Sequence, residues 1–105
     1  MRVPENRFRA SQACRILGSP IAFNLAATLL DQGPLSLTRL VGLARRGKPT
    51  TCYHLSRLRL AQIVRYETRS GETVYWIKHP RQVRSLLDAL DGFISAAGRA
   101  DRDAT

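Results

Sequence analysis

Two stretches of helical patterning separated by only three residues constrain this chain more than any other feature. In the first, Leu37, Leu40, Val41 and Ala44 repeat at i, i+3, i+4 and i+7, the one-sided stripe of a short helix, and Ser36 stands where its hydroxyl can cap it. The second starts at Lys48-Pro49, with proline in the first turn where its missing N–H costs nothing, and runs to about Leu60. Arg45-Arg46-Gly47 leaves room only for a tight turn. A short helix, a glycine-containing turn and a second helix at this spacing predict a helix-turn-helix over residues 36–60.

The surrounding segments fill in one small domain. Residues 8–17 place Phe8, Ala13, Ile16 and Leu17 at loosely helical spacing, and Gly18 ends that run. Ser19 then reads as an N-cap with Pro20 at the first helical position, opening a helix through Asp31. Its body, residues 21–30, is apolar nearly all round, which belongs at the centre of a core or in a seam between two copies. Gln32-Gly33-Pro34 stops it. Downstream, residues 63–68 and 73–78 are β-branched and aromatic-rich around Arg69-Ser70-Gly71-Glu72, a β-hairpin signature. Past His79-Pro80, the residues Val83, Leu86, Leu87, Leu90, Phe93 and Ile94 form a helical stripe to about Ala97, and residues 98–105 are expected to be a frayed polar tail. The expected architecture is mainly α with a small β-hairpin, in the order α-α-α-α-β-β-α, as a single domain over residues 1–105.

Charge locates the business side of this domain. The 105 residues carry 17 Lys+Arg against 8 Asp+Glu, a net +9. Residues 36–84 hold eleven basic and two acidic residues, while the flanks hold six of each, so the entire excess falls in the middle of the chain, most of it on the helix-turn-helix and the hairpin. A basic surface kept only for solubility would be scattered, whereas this one is concentrated and points to an anionic partner. With no apolar stretch near the roughly 20 residues that span a bilayer, a membrane is not expected to be that partner. Nor does the polar N-terminus look like a signal peptide, so a cytoplasmic protein is expected.

On the second helix of the pair, an advance of about 100° per residue from Thr51 puts Thr51, Leu55 and Leu58 in one narrow inward arc. Thr50, Tyr53 and Arg57 fall opposite, and His54 lies on the border. Hydroxyl, phenol and guanidinium groups on one exposed face suit base edges and phosphates. Arg57 has no acidic residue three or four positions away to pair with it. The plainer alternatives are a surface aromatic for Tyr53 and, for His54, a half-buried residue holding the helix to the hairpin. Arg45, Arg46 and Lys48 sit at the start of the helix, where phosphates also meet free backbone N–H groups. Arg69, at the hairpin tip, is placed to touch the DNA backbone or minor groove, its alternative being an ordinary solvated turn.

This order of elements resembles the ArsR-type winged helix-turn-helix transcriptional regulators of bacteria and archaea, over residues 16–90. The likeness is carried by Ser36-Leu37-Thr38-Arg39-Leu40, by Thr50, His54, Leu55 and Leu58, which match a T-x-x-x-H-L-x-x-L recognition helix, and by Ile63-Val64-Arg65 and Gly71-Glu72-Thr73-Val74-Tyr75-Trp76-Ile77 in the wing. The resemblance implies a homodimer whose first and last helices, about residues 8–17 and 80–97, form the seam. It further implies a palindromic operator in double-stranded DNA and, most often, repression. An architectural winged-helix protein with little sequence preference is the alternative, because the phosphate attraction dominates both.

Metal-sensing members carry soft ligands near the third helix or His and carboxylate ligands on the last. Here the third helix has no such ligand and the last offers only Asp88 and Asp91, so no metal or other cofactor is expected. Gln62 stands where the family has glycine before the wing, which bears on the bend there. Cys52, on the flank of the reading helix near a basic end, is a candidate redox-sensitive thiol whose plainer reading is an inert small residue, and Cys14 is expected in the core or the dimer seam. The two cysteines form no C-x-x-C pair, and no nucleophile triad, carboxylate pair or phosphate loop stands out, so catalysis is not expected.

Overall fold

The computed structural model describes residues 1–104, with side chains as far as Arg99. Five helices and three strands follow one another as α1 (Glu5–Leu17), α2 (Pro20–Gln32), β1 (Leu35–Ser36), α3 (Leu37–Ala44), α4 (Lys48–Leu60), β2 (Val64–Arg69), β3 (Glu72–Ile77) and α5 (Pro80–Ala104). The expected mainly helical fold with a β-hairpin is what forms.

The apolar helix α2 is the hub. It buries Ala22, Leu25, Ala26 and Leu29 and touches α1, α3, α4, α5 and β3. Around it pack Ile16 and Leu17 from α1, Leu40 from α3, Leu55 and Leu58 from α4, Val64 and Ile77 from the hairpin, and Val83 and Leu87 from α5. An all-round apolar helix can satisfy every one of these neighbours at once, which is why this segment takes the centre. The helix α1 meets α2 at 95°. Among the described residues no single helix is long and apolar enough to cross a membrane.

The local punctuation follows the expected chemistry with some changes of role. Ser36 caps α3 by accepting from the Arg39 N–H at 3.1 Å. Ser19 holds the N-cap position of α2, but its hydroxyl makes no capping bond and lies 3.5 Å from His54 Nδ1. At the hairpin tip Ser70 and Gly71 both have positive φ, 51° and 80°, the two-residue turn that matches the twist of its strands. The register then sets Tyr66 opposite Tyr75, Arg65 opposite Trp76 and Val64 opposite Ile77.

Two expectations are corrected. A strand absent from the sequence reading, β1, pairs antiparallel with β3, so the sheet runs β1-β3-β2. Two residues carry no periodicity, and this strand exists only because β3 offers an unpaired edge beside it. The last helix does not end near Ala97 with a frayed tail: α5 continues to Ala104, since polar residues extend a helix that already projects into solvent. Thr105 lies outside the described residues. Cys14, expected in the core or the dimer seam, is exposed on α1, outside the protomer core.

Candidate nucleic-acid interface

Gly47 shapes the start of α4. Its φ of 81° and ψ of 161° fall in a region that is nearly exclusive to glycine, and it stands at the N-cap of α4. Arg45 before it is left-handed, with φ 54° and ψ 34°, and closes α3 through its N–H to the Val41 carbonyl. Two positive-φ residues within three positions turn the chain sharply, so Arg45, Arg46 and Lys48 all project as exposed cations at one end of α4. That end also presents the unpaired N–H groups of the first helical turn.

Along α4 the expected division of faces holds. Thr51, Leu55 and Leu58 are completely buried, and the Thr51 hydroxyl is satisfied by donating to the Gly47 carbonyl at 2.8 Å. Tyr53 stands out at 58% exposure. Thr50 and Arg57 are half-buried along the same side, and among the described residues no carboxylate pairs with Arg57. Thr50, Tyr53 and Arg57 therefore share one polar face, with no carboxylate ion-paired to it among the described residues, and Lys48 stands exposed at the N-terminal end of the helix.

Two candidates are held differently. His54 is half-buried and tethers α4 to the start of α2 through Ser19, not to the hairpin, while its ring meets Tyr53 edge-on at 5.1 Å. Arg69 is ion-paired to Glu67 at 2.7 Å on the wing, and the hydrogen bond it donates holds the Glu67 carboxyl below its ordinary range. Cys52 is half-buried on the flank that faces the hairpin, close to Tyr75. Among the described residues no three His, Cys, Asp or Glu side chains converge.

Sequence reasoning missed a seam that joins α4 to the wing. The Tyr66 and Tyr75 rings lie 5.6 Å apart on the sheet face, and the Arg59 guanidinium sits 5.1 Å over Tyr66. Burial pushes the Tyr75 phenol above its ordinary value; Cys52 and Tyr66 add to the rise and Arg59 opposes it. Counting strand partners outward from the Ser70-Gly71 turn would have paired the two tyrosines. Placing Arg59 over them requires knowing how α4 lies on the sheet.

The chain before this seam ends α4 in a Schellman arrangement: Gln62 N–H donates to the Arg59 carbonyl and Ile63 N–H to the Leu58 carbonyl, both at 3.0 Å. Gln62 takes the left-handed conformation, φ 64°, that glycine usually supplies there. The bend is thus made with glutamine, and the Gln62 side chain accepts a hydrogen bond from Lys78 Nζ across it.

No protein-family model matches the chain, and no curated protein matches it by sequence. Solved structures do match by shape. Rv0081 of M. tuberculosis superposes with a TM-score of 0.78 at 20% identity, covering 96% of this chain and 98% of its own. BigR, a transcriptional repressor from Xylella fastidiosa, gives 0.74 at 22% identity over 85% and 89%. Mb0332 of Mycobacterium bovis, a homodimeric winged helix-turn-helix DNA-binding domain and possible ArsR-family regulator, gives 0.74 at 13% identity over 91% and 95%. With α3, the Gly47 turn and α4 followed by the β2–β3 hairpin, to which β1 adds a third strand, and with these likenesses, the chain has the winged helix-turn-helix fold.

Proposed function

We propose that this protein is a homodimeric, sequence-specific DNA-binding transcriptional regulator of the ArsR type, acting in the cytoplasm as a repressor on a palindromic operator. The observation that carries the reading is the polar face of α4: Thr50, Tyr53 and Arg57 with no carboxylate ion-paired to them among the described residues, beside the exposed Arg45, Arg46 and Lys48 at the start of the helix. Each protomer would set α4 in a major groove, with Arg57, Tyr53 and Thr50 at base edges or adjacent phosphates. Arg45, Arg46 and Lys48 would take phosphates, His54 would orient Tyr53, and Arg69 on the wing would reach the backbone after exchanging Glu67 for phosphate.

The dimer has its own support. Phe93 and Ile94 on α5 are each 66% exposed, and Phe8 on α1 is 51% exposed. An apolar stripe left open at this scale suits a second copy, and a two-fold symmetric protein suits a palindrome. Descriptions of BigR as a repressor and of Mb0332 as a homodimeric DNA-binding domain point the same way. Selection of bound duplexes from a random DNA pool tests this directly. Enrichment of an inverted repeat whose halves lie about 34–36 Å apart supports it; recovery of unenriched sequence would leave the architectural reading instead.

A further inference from the structure

A groove of about 270 Å³ runs over the outer edge of β2, lined by Arg59, Gln62, Val64, Arg65 and Tyr66. None of these residues belongs to the base-facing side of α4. The electrostatics of the groove are one-sided. Stacking on Tyr66 fixes the plane of the Arg59 guanidinium and leaves its N–H edge free. Among the described residues no carboxylate is ion-paired to Arg59 or Arg65, and the nearby Glu67 is already held by Arg69. The Gln62 side-chain oxygen accepts from Lys78 Nζ, and the amide N–H donors of Gln62 remain for a ligand. Two guanidinium forks and an amide donor, with no carboxylate among the lining residues, match a phosphate group.

We propose that this groove binds a phosphodiester of the DNA backbone beside the segment read by α4, with Arg59 and Arg65 clamping the strand where it passes between helix and wing. The inference rests on the DNA-binding reading above. A backbone phosphate fits better than a free one because the groove is shallow and lies along an exposed edge strand, continuous with the last turn of α4. A passing polymer needs such an open channel, whereas a small anion is held by enclosure. The left-handed Gln62 is what brings the β2 edge beside Arg59.

The test is the salt dependence of binding to a mixed-sequence duplex, compared for the parent, Arg59→Ala/Arg65→Ala and Arg59→Lys/Arg65→Lys. An Arg2→Ala/Arg99→Ala protein controls for net charge, and circular dichroism confirms that each protein folds. Each lost phosphate contact flattens the slope of log K against log salt by about 0.9, so the double alanine protein, which loses the one clamped phosphodiester, should flatten it by about 1. The lysine protein and the charge control should keep the parental slope. If the parent binds but the double alanine protein shows the same slope, the clamp is refuted and the DNA reading stands. A parent that binds no duplex overturns both. In a second arm, inorganic phosphate at constant ionic strength should leave the parental Tm unchanged. A rise abolished in the double alanine protein, with an unaltered DNA slope, would assign the groove to a free anion and overturn the proposal.

Discussion

Gly47 and Gln62 bracket α4, both at positive φ, yet only the first is a glycine. The two positions make opposite demands. Gly47 has φ and ψ that a side chain scarcely tolerates, so Gly47→Ala should destabilise the protein by about 1–3 kcal/mol in chemical denaturation. Gln62 pays the ordinary left-handed cost, and Gln62→Gly should raise stability by about 1 kcal/mol in the same measurement. Function separates at this scale too. Arg57→Ala is expected to lose about 1–3 kcal/mol of operator affinity and relax base preference, whereas Lys48→Ala should weaken all duplexes alike. Equal losses on operator and random DNA for both variants would refute these roles. The inward arc of Thr51, Leu55 and Leu58 was legible from helical period alone. The tether from His54 to Ser19 was not, since it joins residues 35 positions apart that meet only once α2 and α4 have packed.

At the scale of elements, periodicity and punctuation reveal every helix and the hairpin, because glycine, proline and serine mark their ends in chemical terms. The strand β1 escapes such reading, being too short to have a pattern and owing its existence to β3. For α5 the difficulty is different: two faces share one stripe. Val83 and Leu87 bury against the protomer, whereas Leu90, Phe93 and Ile94 do not, and sequence spacing cannot divide them. Tyr75 on β3 gives the wing a pH signature. Its folded pKa is raised, so its contribution to stability is complete below the ordinary tyrosine value of about 10 and is lost as pH rises through the folded value. Thermal unfolding in that alkaline window should therefore fall more steeply for the parent than for Tyr75→Phe. Coincident curves would remove Tyr75 as the cause.

The whole molecule is more extended than its length requires. Its radius of gyration is 15.8 Å, against about 13 Å for a compact domain of this size. The 25-residue α5 accounts for the excess, and its outer turns carry the exposed apolar residues. Most of the net charge thus sits on α3, α4 and the hairpin while the uncovered apolar surface sits on α1 and the outer turns of α5, as a dimer that docks on DNA would require. Phe93→Glu/Ile94→Glu should yield a folded monomer by sedimentation and lower operator affinity at least tenfold, a loss of about 1.4 kcal/mol. A dimer of unchanged affinity would place the seam elsewhere. In the proposed function α4 reads sequence. Its most direct test is equilibrium competition, at physiological salt, between the duplex selected by the protein and the same duplex scrambled. A preference of about 10³ or more is expected; equal competition by the two duplexes would contradict it.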